Sequence, residues 1–274
     1  MTWTAVVLVR PELPEGPMVS RLPSFLHPVA GKPLIWHTVR ALMAVSPAPD
    51  HIYLSGPVEL PPEILEGTGA DLQPLPVGSD GGPGELTTGG PVILLPASAS
   101  LPVDAVSLLL EADAGDWVGA DDFAAAIRVG KGELERALNM DSPFSPGEGI
   151  PEPARQLPCS EAFAVRDREG LAALHRRIRD EIVRALMRGG ATFILPESVS
   201  VDVDVRIGRD TVVYPGAVIE GQTTIGEETV IGPGCRIIDS WVGSGVELKG
   251  WNYIAHTSVR NRAILEPYVR RGFD

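Results

Sequence analysis

Residues 201–242 read VDVDVRIGRDTVVYPGAVIEGQTTIGEETVIGPGCRIIDSWV. Apolar side chains stand at Val201, Ile207, Val213, Ile219, Ile225, Ile231 and Ile237, each six residues after the last. The series slips by one to Val242, resumes at Leu248 and Ile254, slips again to Val259 and resumes at Leu265. A period of six fits neither a helix nor one isolated strand. It fits a hexapeptide-repeat β-helix, in which short parallel strands alternate with corners and three strands complete a triangular coil. The sixth side chain points into the prism and stacks on its counterpart one coil away. Glycine follows the apolar position at Ile207-Gly208, Ile225-Gly226, Ile231-Gly232 and Val242-Gly243. The expectation is that these glycines turn a tight corner with positive φ. The whole series, Val201 to Leu265, holds roughly three and a half coils at about 18 residues each, near the minimum for a stable stack. An antiparallel sheet with coincidental spacing is the alternative.

The segment before these repeats alternates differently. Ala5 to Val9, His51 to Leu54, Pro91 to Leu95 and Phe123 to Val129 are strand candidates. Pro33 to Val45 and Val103 to Ala112 read as helices, the first with Ile35, Val39 and Leu42 on one face. This alternation favours a parallel sheet with helices on its faces. Arg168 to Arg188 carries an apolar stripe at Leu171, Leu174, Ile178, Ile182 and Leu186 and stops at Gly189-Gly190, a helix with a C-cap. The fold class is therefore α/β: a Rossmann-like domain over residues 1–195, then a β-helix over 196–274.

Composition narrows the function. The 274 residues carry 36 Asp+Glu against 23 Lys+Arg, a net charge of −13, so a basic footprint for nucleic acid or an anionic membrane is missing. Cys159 and Cys235 support neither a disulfide framework nor a Cys-rich zinc site. No charged n-region precedes the first apolar run, and no stretch approaches membrane-spanning length. A cytoplasmic protein is expected.

Leu22-Pro23-Ser24-Phe25-Leu26-His27-Pro28-Val29-Ala30-Gly31-Lys32-Pro33-Leu34 resembles the "LPKVLHPIAGKPM" stretch of the bacterial bifunctional N-acetylglucosamine-1-phosphate uridyltransferase/glucosamine-1-phosphate acetyltransferases. The likeness continues in the helix Arg168 to Arg188. It extends to Ile231-Gly232-Pro233-Gly234-Cys235 and Glu266-Pro267-Tyr268-Val269, which are similar to the family's "IGTGCVI" and "IGPFARL". It covers both ends of the chain and fades between Glu59 and Pro158. The resemblance implies a nucleotidyltransferase-type domain, a left-handed β-helix, a homotrimer built through that β-helix, and Mg²⁺ as cofactor if the chain is active.

Departures from the family fall on its catalytic positions. The family's first strand enters a Gly-rich "AAGxGTRM" loop whose amides wrap phosphates. Here it reads Arg10-Pro11-Glu12-Leu13-Pro14-Glu15-Gly16-Pro17-Met18, where three prolines remove donors and two glutamates repel phosphate. Pro17 stands where the family has Arg, and Ser24 where it has Lys. The Mg²⁺-binding Asp of "YGDVP" corresponds to Ala97 in Leu95-Pro96-Ala97-Ser98. The second metal ligand, an Asn of "VNNR", corresponds to Asp167, which either binds Mg²⁺ or opens the helix that follows. Val77-Gly78-Ser79-Asp80-Gly81-Gly82 echoes the uracil-contacting "LGTGHA"; Gly78 and Gly81 cradle a phosphate there or form a surface turn.

Two functional readings follow. In the first the chain is a pseudoenzyme with a structural, regulatory or ligand-binding role, since loss of several charge-stabilising groups abolishes turnover. In the second it is an active sugar-1-phosphate nucleotidyltransferase with a rebuilt site. Arg10, Arg21 and Lys32 then grip the nucleotide or sugar phosphate and Asp167 holds the metal. Acetyl transfer ranks below both, because the family's catalytic His and coenzyme A contacts lie in later coils and His256 does not match that His. Trp241 and Trp251 are too large for the prism and are candidates for an outward contact surface. The arginines from Arg166 to Arg188 are either a phosphate or acidic-partner face or a solvated helix surface.

Overall fold

The computed structural model describes residues 2–10, 18–56, 60–76, 86, 90–120, 123–140, 143–145, 155–159 and 161–272. By contacts the chain divides into two units, Met1–His27 with Pro33–Leu171, and Pro28–Lys32 with Ala172–Asp274.

The first unit is built on a mixed six-stranded sheet. Its strands are β1 (Thr4–Leu8), β2 (His51–Ser55), β3 (Leu72–Pro74), β4 (Val92–Pro96), β5 (Trp117–Ala120) and β6 (Phe123–Val129), in the order β3-β2-β1-β4-β6-β5. The first four are parallel, with Thr4 beside both His51 and Val92. An all-parallel sheet was the expectation, but β6 runs antiparallel to β4 and to β5. Only two residues separate β5 from β6, and so short a link permits a hairpin but no crossover.

Strand periodicity divides the core. Ala5 and Val7 of β1 face α1 (Leu34–Met43) and α2 (Val103–Glu111), packing with Ile35, Val39, Leu42, Val106 and Leu109. Val6 and Leu8 face the other way, packing with Leu94, Ile127 and Leu134 of α3 (Lys131–Leu138). Helix α3 follows Gly130, whose N–H donates to Glu133 Oε2 at 2.7 Å, closing the open first turn. Helix α4 (Arg168–Arg188) begins in this unit and continues in the second.

In the second unit the repeats form three parallel faces of a left-handed hexapeptide β-helix. Val201, Ile219, Ile237 and Ile254 stack in register on one face; Ile207, Ile225, Val242 and Val259 on the second; Val213, Ile231, Leu248 and Leu265 on the third. Each sequence slip shortens one coil by a residue without breaking a ladder.

The glycines after the apolar positions serve a different purpose from the one expected. Gly208, Gly226, Gly232 and Gly243 do not have positive φ. A Cβ on Gly226 would sit 2.5 Å from Ser244 N, so it is the neighbouring coil that excludes a side chain. Positive φ falls instead at other corner positions, including Gly216 (73°), Gly234 (64°), Trp251 (50°) and Tyr268 (65°). Two bulky residues accept the left-handed region here; their rings stack at 5.6 Å, and Trp251 lies against Gly234.

Hydroxyls bind coil to coil at another edge. Buried Thr211 donates through Oγ1 to Gly226 O at 2.7 Å and accepts the Thr229 N–H at 3.3 Å; Thr229 donates to Gly243 O at 2.9 Å and accepts the Val246 N–H at 3.4 Å.

Candidate functional site

Chain direction places a crevice at the carboxyl ends of β1 and β4. From β1 the sheet grows to β2 on one side and β4 on the other, and ligands of open α/β sheets bind where the order reverses in this way. The loop leaving β1 and the segment leaving β4 must supply the chemistry there. Residues 11–17 lie outside the described residues, so the structure bears on the two ends of the first loop only.

Arg10, which follows β1, and Ala97, which follows β4, are both committed to the fold. Arg10 donates to Leu138 O at 2.8 Å and to Met140 O, satisfying carbonyls at the end of α3. Ala97 donates its N–H to Leu8 O at 2.9 Å, and its methyl is 2% exposed within the α1–α2 side of the core. Thr38 Oγ1 donates to the carbonyls of Ala97 and Ala99, at 3.1 and 2.7 Å, pinning the same segment to α1. A carboxylate in place of that methyl would be buried without a cation.

Asp167 Oδ1 accepts the Gly170 N–H at 2.7 Å, the N-cap arrangement at the start of α4. In the second unit, Lys32 Nζ lies 2.8 Å from Asp204 Oδ2. Arg21 is exposed. Gly78 and Gly81 lie outside the described residues. Among the described residues, no three His, Cys, Asp or Glu side chains converge as a metal site would require.

The arginine-rich segment is used piecemeal. Arg166 lies 4.4 Å over the Phe123 ring, Arg168 Nε donates to Met18 O at 3.1 Å, and Arg179 donates to Asp180 Oδ1 and to Glu197 O. Trp241 and Trp251 are 48% and 54% exposed and point outward from the prism, as their size requires. His256 is an exposed corner residue whose Nδ1 lies 3.7 Å from Asp239 Oδ2.

A cavity of about 480 Å³ in the second unit has no counterpart in the motif reading. It is lined by His175 and Arg176 of α4, Ser200 and Asp202 of the first coil, and Ala30 and Gly31. The segments involved are far apart in sequence and share no motif. The signal within reach was the pattern His175-Arg176-Arg179, three basic side chains on one helical face.

Comparison with known proteins matches residues 204–239 to the bacterial transferase hexapeptide (six repeats) family. Over its hexapeptide region the chain is similar to the bifunctional protein GlmU of several bacteria. With that of Geobacillus sp. it is 42% identical over 110 residues, 40% of this chain and 24% of the relative. With that of Acetivibrio thermocellus it is 43% identical over 115 residues, 41% and 25% of the two chains. With that of Limosilactobacillus reuteri it is 44% identical over 88 residues, 32% and 19%. The chain thus spans about a quarter of the length of these curated relatives.

Proposed function

We propose that this chain, a GlmU-like protein by its hexapeptide β-helix, is a catalytically inactive relative of the sugar-1-phosphate nucleotidyltransferases, serving a structural, regulatory or ligand-binding role. The observation that carries the reading is the fate of the groups that would have to act. Arg10 holds the end of α3, Asp167 caps α4, and the position of the family's metal carboxylate is a buried methyl, Ala97. The sequence of the loop after β1 points the same way, with Pro11, Pro14 and Pro17 replacing amide donors. The described residues do not fit Mg²⁺ at this crevice, because the aligned Asp167 is not joined by a second and third carboxylate or histidine among them. Two free cysteines suit a reducing, cytoplasmic setting, and among the described residues no helix is long and apolar enough to cross a membrane.

The β-helix makes this chain a homotrimer, as resemblance implies. Support comes from exposed apolar side chains on its outer surface, including Trp241, Trp251 and Ile264. Light scattering of the intact chain tests it: a mass three times that of the monomer is expected, and a monomer mass overturns it.

The deciding assay is pyrophosphate release from UTP and N-acetylglucosamine-1-phosphate with Mg²⁺, followed by the other nucleoside triphosphates and sugar-1-phosphates. No release above background by the folded protein is expected. Turnover that disappears in Asp167→Ala would overturn the proposal and establish the rebuilt-site enzyme. Nucleotide-dependent thermal stabilisation without turnover would identify a sensor, and its absence a scaffold.

A further inference from the structure

The cavity of about 480 Å³ in the second unit falls within the size range of small-molecule sites. Its walls differ in charge. On the α4 side, His175, Arg176 and Arg179 share one helical face. Arg179 is engaged with Asp180 and with Glu197 O. Arg176 is exposed and has no acidic partner within ion-pair distance among the described residues.

The β-helix side is acidic, and its carboxylates differ in what faces them. Glu220 accepts from Arg236 Nε at 2.6 Å, Asp204 faces Lys32 Nζ at 2.8 Å, and Asp239 lies 3.7 Å from the His256 ring. Asp202 has none: its Oδ2 accepts the Gly221 N–H at 2.9 Å, and no cation lies within ion-pair distance among the described residues. Burial pushes the Asp202 carboxyl up, with Glu220, Asp204 and Asp239 adding to the effect. Gly31 lies directly against this carboxyl; a Cβ there would meet Asp202 Oδ2 at 2.7 Å. The carboxyl is thus packed on one side and open to the cavity on the other, where an incoming cation would relieve it.

We infer that this cavity binds a small zwitterion, its ammonium group held at Asp202 and its carboxylate or phosphate at Arg176. A charge-assisted hydrogen bond at each end fixes the orientation, and the hydroxyl of Ser200 is available to the body of the ligand. A simple anion would satisfy the guanidinium and leave the acidic wall uncompensated. A simple cation would do the reverse. The site owes nothing to the β1–β4 crevice, so it stands whether or not nucleotide chemistry survives there.

Calorimetric titration of the full chain tests the inference. The carboxylate probes are 6-aminohexanoate and glycylglycine, the phosphate probe is phosphoethanolamine, and the controls are their N-acetylated forms and inorganic phosphate. At least one zwitterion should bind with a Kd below about 1 mM, and N-acetylation should weaken it by about tenfold or more. Binding confined to the carboxylate or to the phosphate probes identifies which anion the site takes. Arg176→Ala and Asp202→Asn should each lose about tenfold in affinity, while Arg184→Ala, on the same helix outside the cavity, should change nothing. The exposed position of Arg176 keeps that arm independent of any folding defect in Asp202→Asn. The inference fails if no zwitterion binds, if the N-acetylated forms bind as tightly, or if neither cavity variant alters affinity.

Discussion

The two units use their polar side chains in opposite ways. In the first, Arg10, Thr38 and Arg128 donate to main-chain carbonyls of segments distant in sequence, as Arg10 does to Leu138 and Thr38 to Ala99. Each such contact occurs once and holds one irregular stretch of chain. In the β-helix the same contact recurs one coil on: Thr211 and Thr229 repeat each other, and so do Ile219, Ile237 and Ile254. A unit of singular contacts can change one of them without disturbing the others, as the contact of Arg10 with the end of α3 involves that residue alone. A unit of repeated contacts is constrained at every position by its neighbours above and below.

The largest expected effect probes that constraint. Ile237→Ala removes a fully buried side chain between Ile219 and Ile254 and should cost about 2–5 kcal/mol. Hydrogen exchange should show lost protection concentrated in the adjoining coils; uniform loss across both units would erase the contrast drawn here. Gly234→Ala comes next. The new Cβ would stand 2.8 Å from the Trp251 ring at φ 64°, for a cost of about 1–2 kcal/mol, and near-ultraviolet dichroism should report displacement of the Trp251–Tyr268 stack. An unchanged spectrum would mean the corner does not depend on that column.

The smallest effects differ in sign between the units. Hydrogen bonds from Arg155 hold the Asp116 carboxyl below its ordinary value. Its contribution to stability is therefore present above the unfolded carboxylate pKa of about 4 and is lost as pH falls through the lowered folded value. Asp202 is raised by burial, so its contribution is present below that unfolded pKa and lost as pH rises through the folded value. Urea midpoints should accordingly fall at pH 7 for Asp116→Asn and rise for Asp202→Asn. Shifts of the same sign would refute the assignment of opposite environments.

What could be read from the chain alone tracks this division. Seven apolar residues at a spacing of six were enough for the β-helix, since each repeat restates the rule. The end of α4 was legible because Gly189-Gly190 halts a strong stripe. Helix α3 was not, for its apolar face is reduced to Leu134, Ala137 and Leu138 beside a polar remainder. The turn of β6 back against β5 depended on a two-residue link that the apolar run of Phe123–Val129 does not reveal. At the candidate crevice, the sequence showed where its residues depart from the pattern it resembles, but the uses of Arg10 and Asp167 depend on partners chosen by the fold. Of the Arg176–Asp202 cavity only the basic helical face was within reach, because Gly31, Arg176 and Asp202 meet only in three dimensions.

The threonine edge has a mechanical consequence. Each hydroxyl there ties its own coil to the next one by two bonds, donating to a carbonyl and accepting an amide of that coil. Parting the Thr211 level from the Thr229 level, or the Thr229 level from the Val246 level, breaks the same set: two hydroxyl bonds and one tier of strand amides. Under tension these two levels should therefore yield at nearly equal force, as successive teeth of a ratchet do.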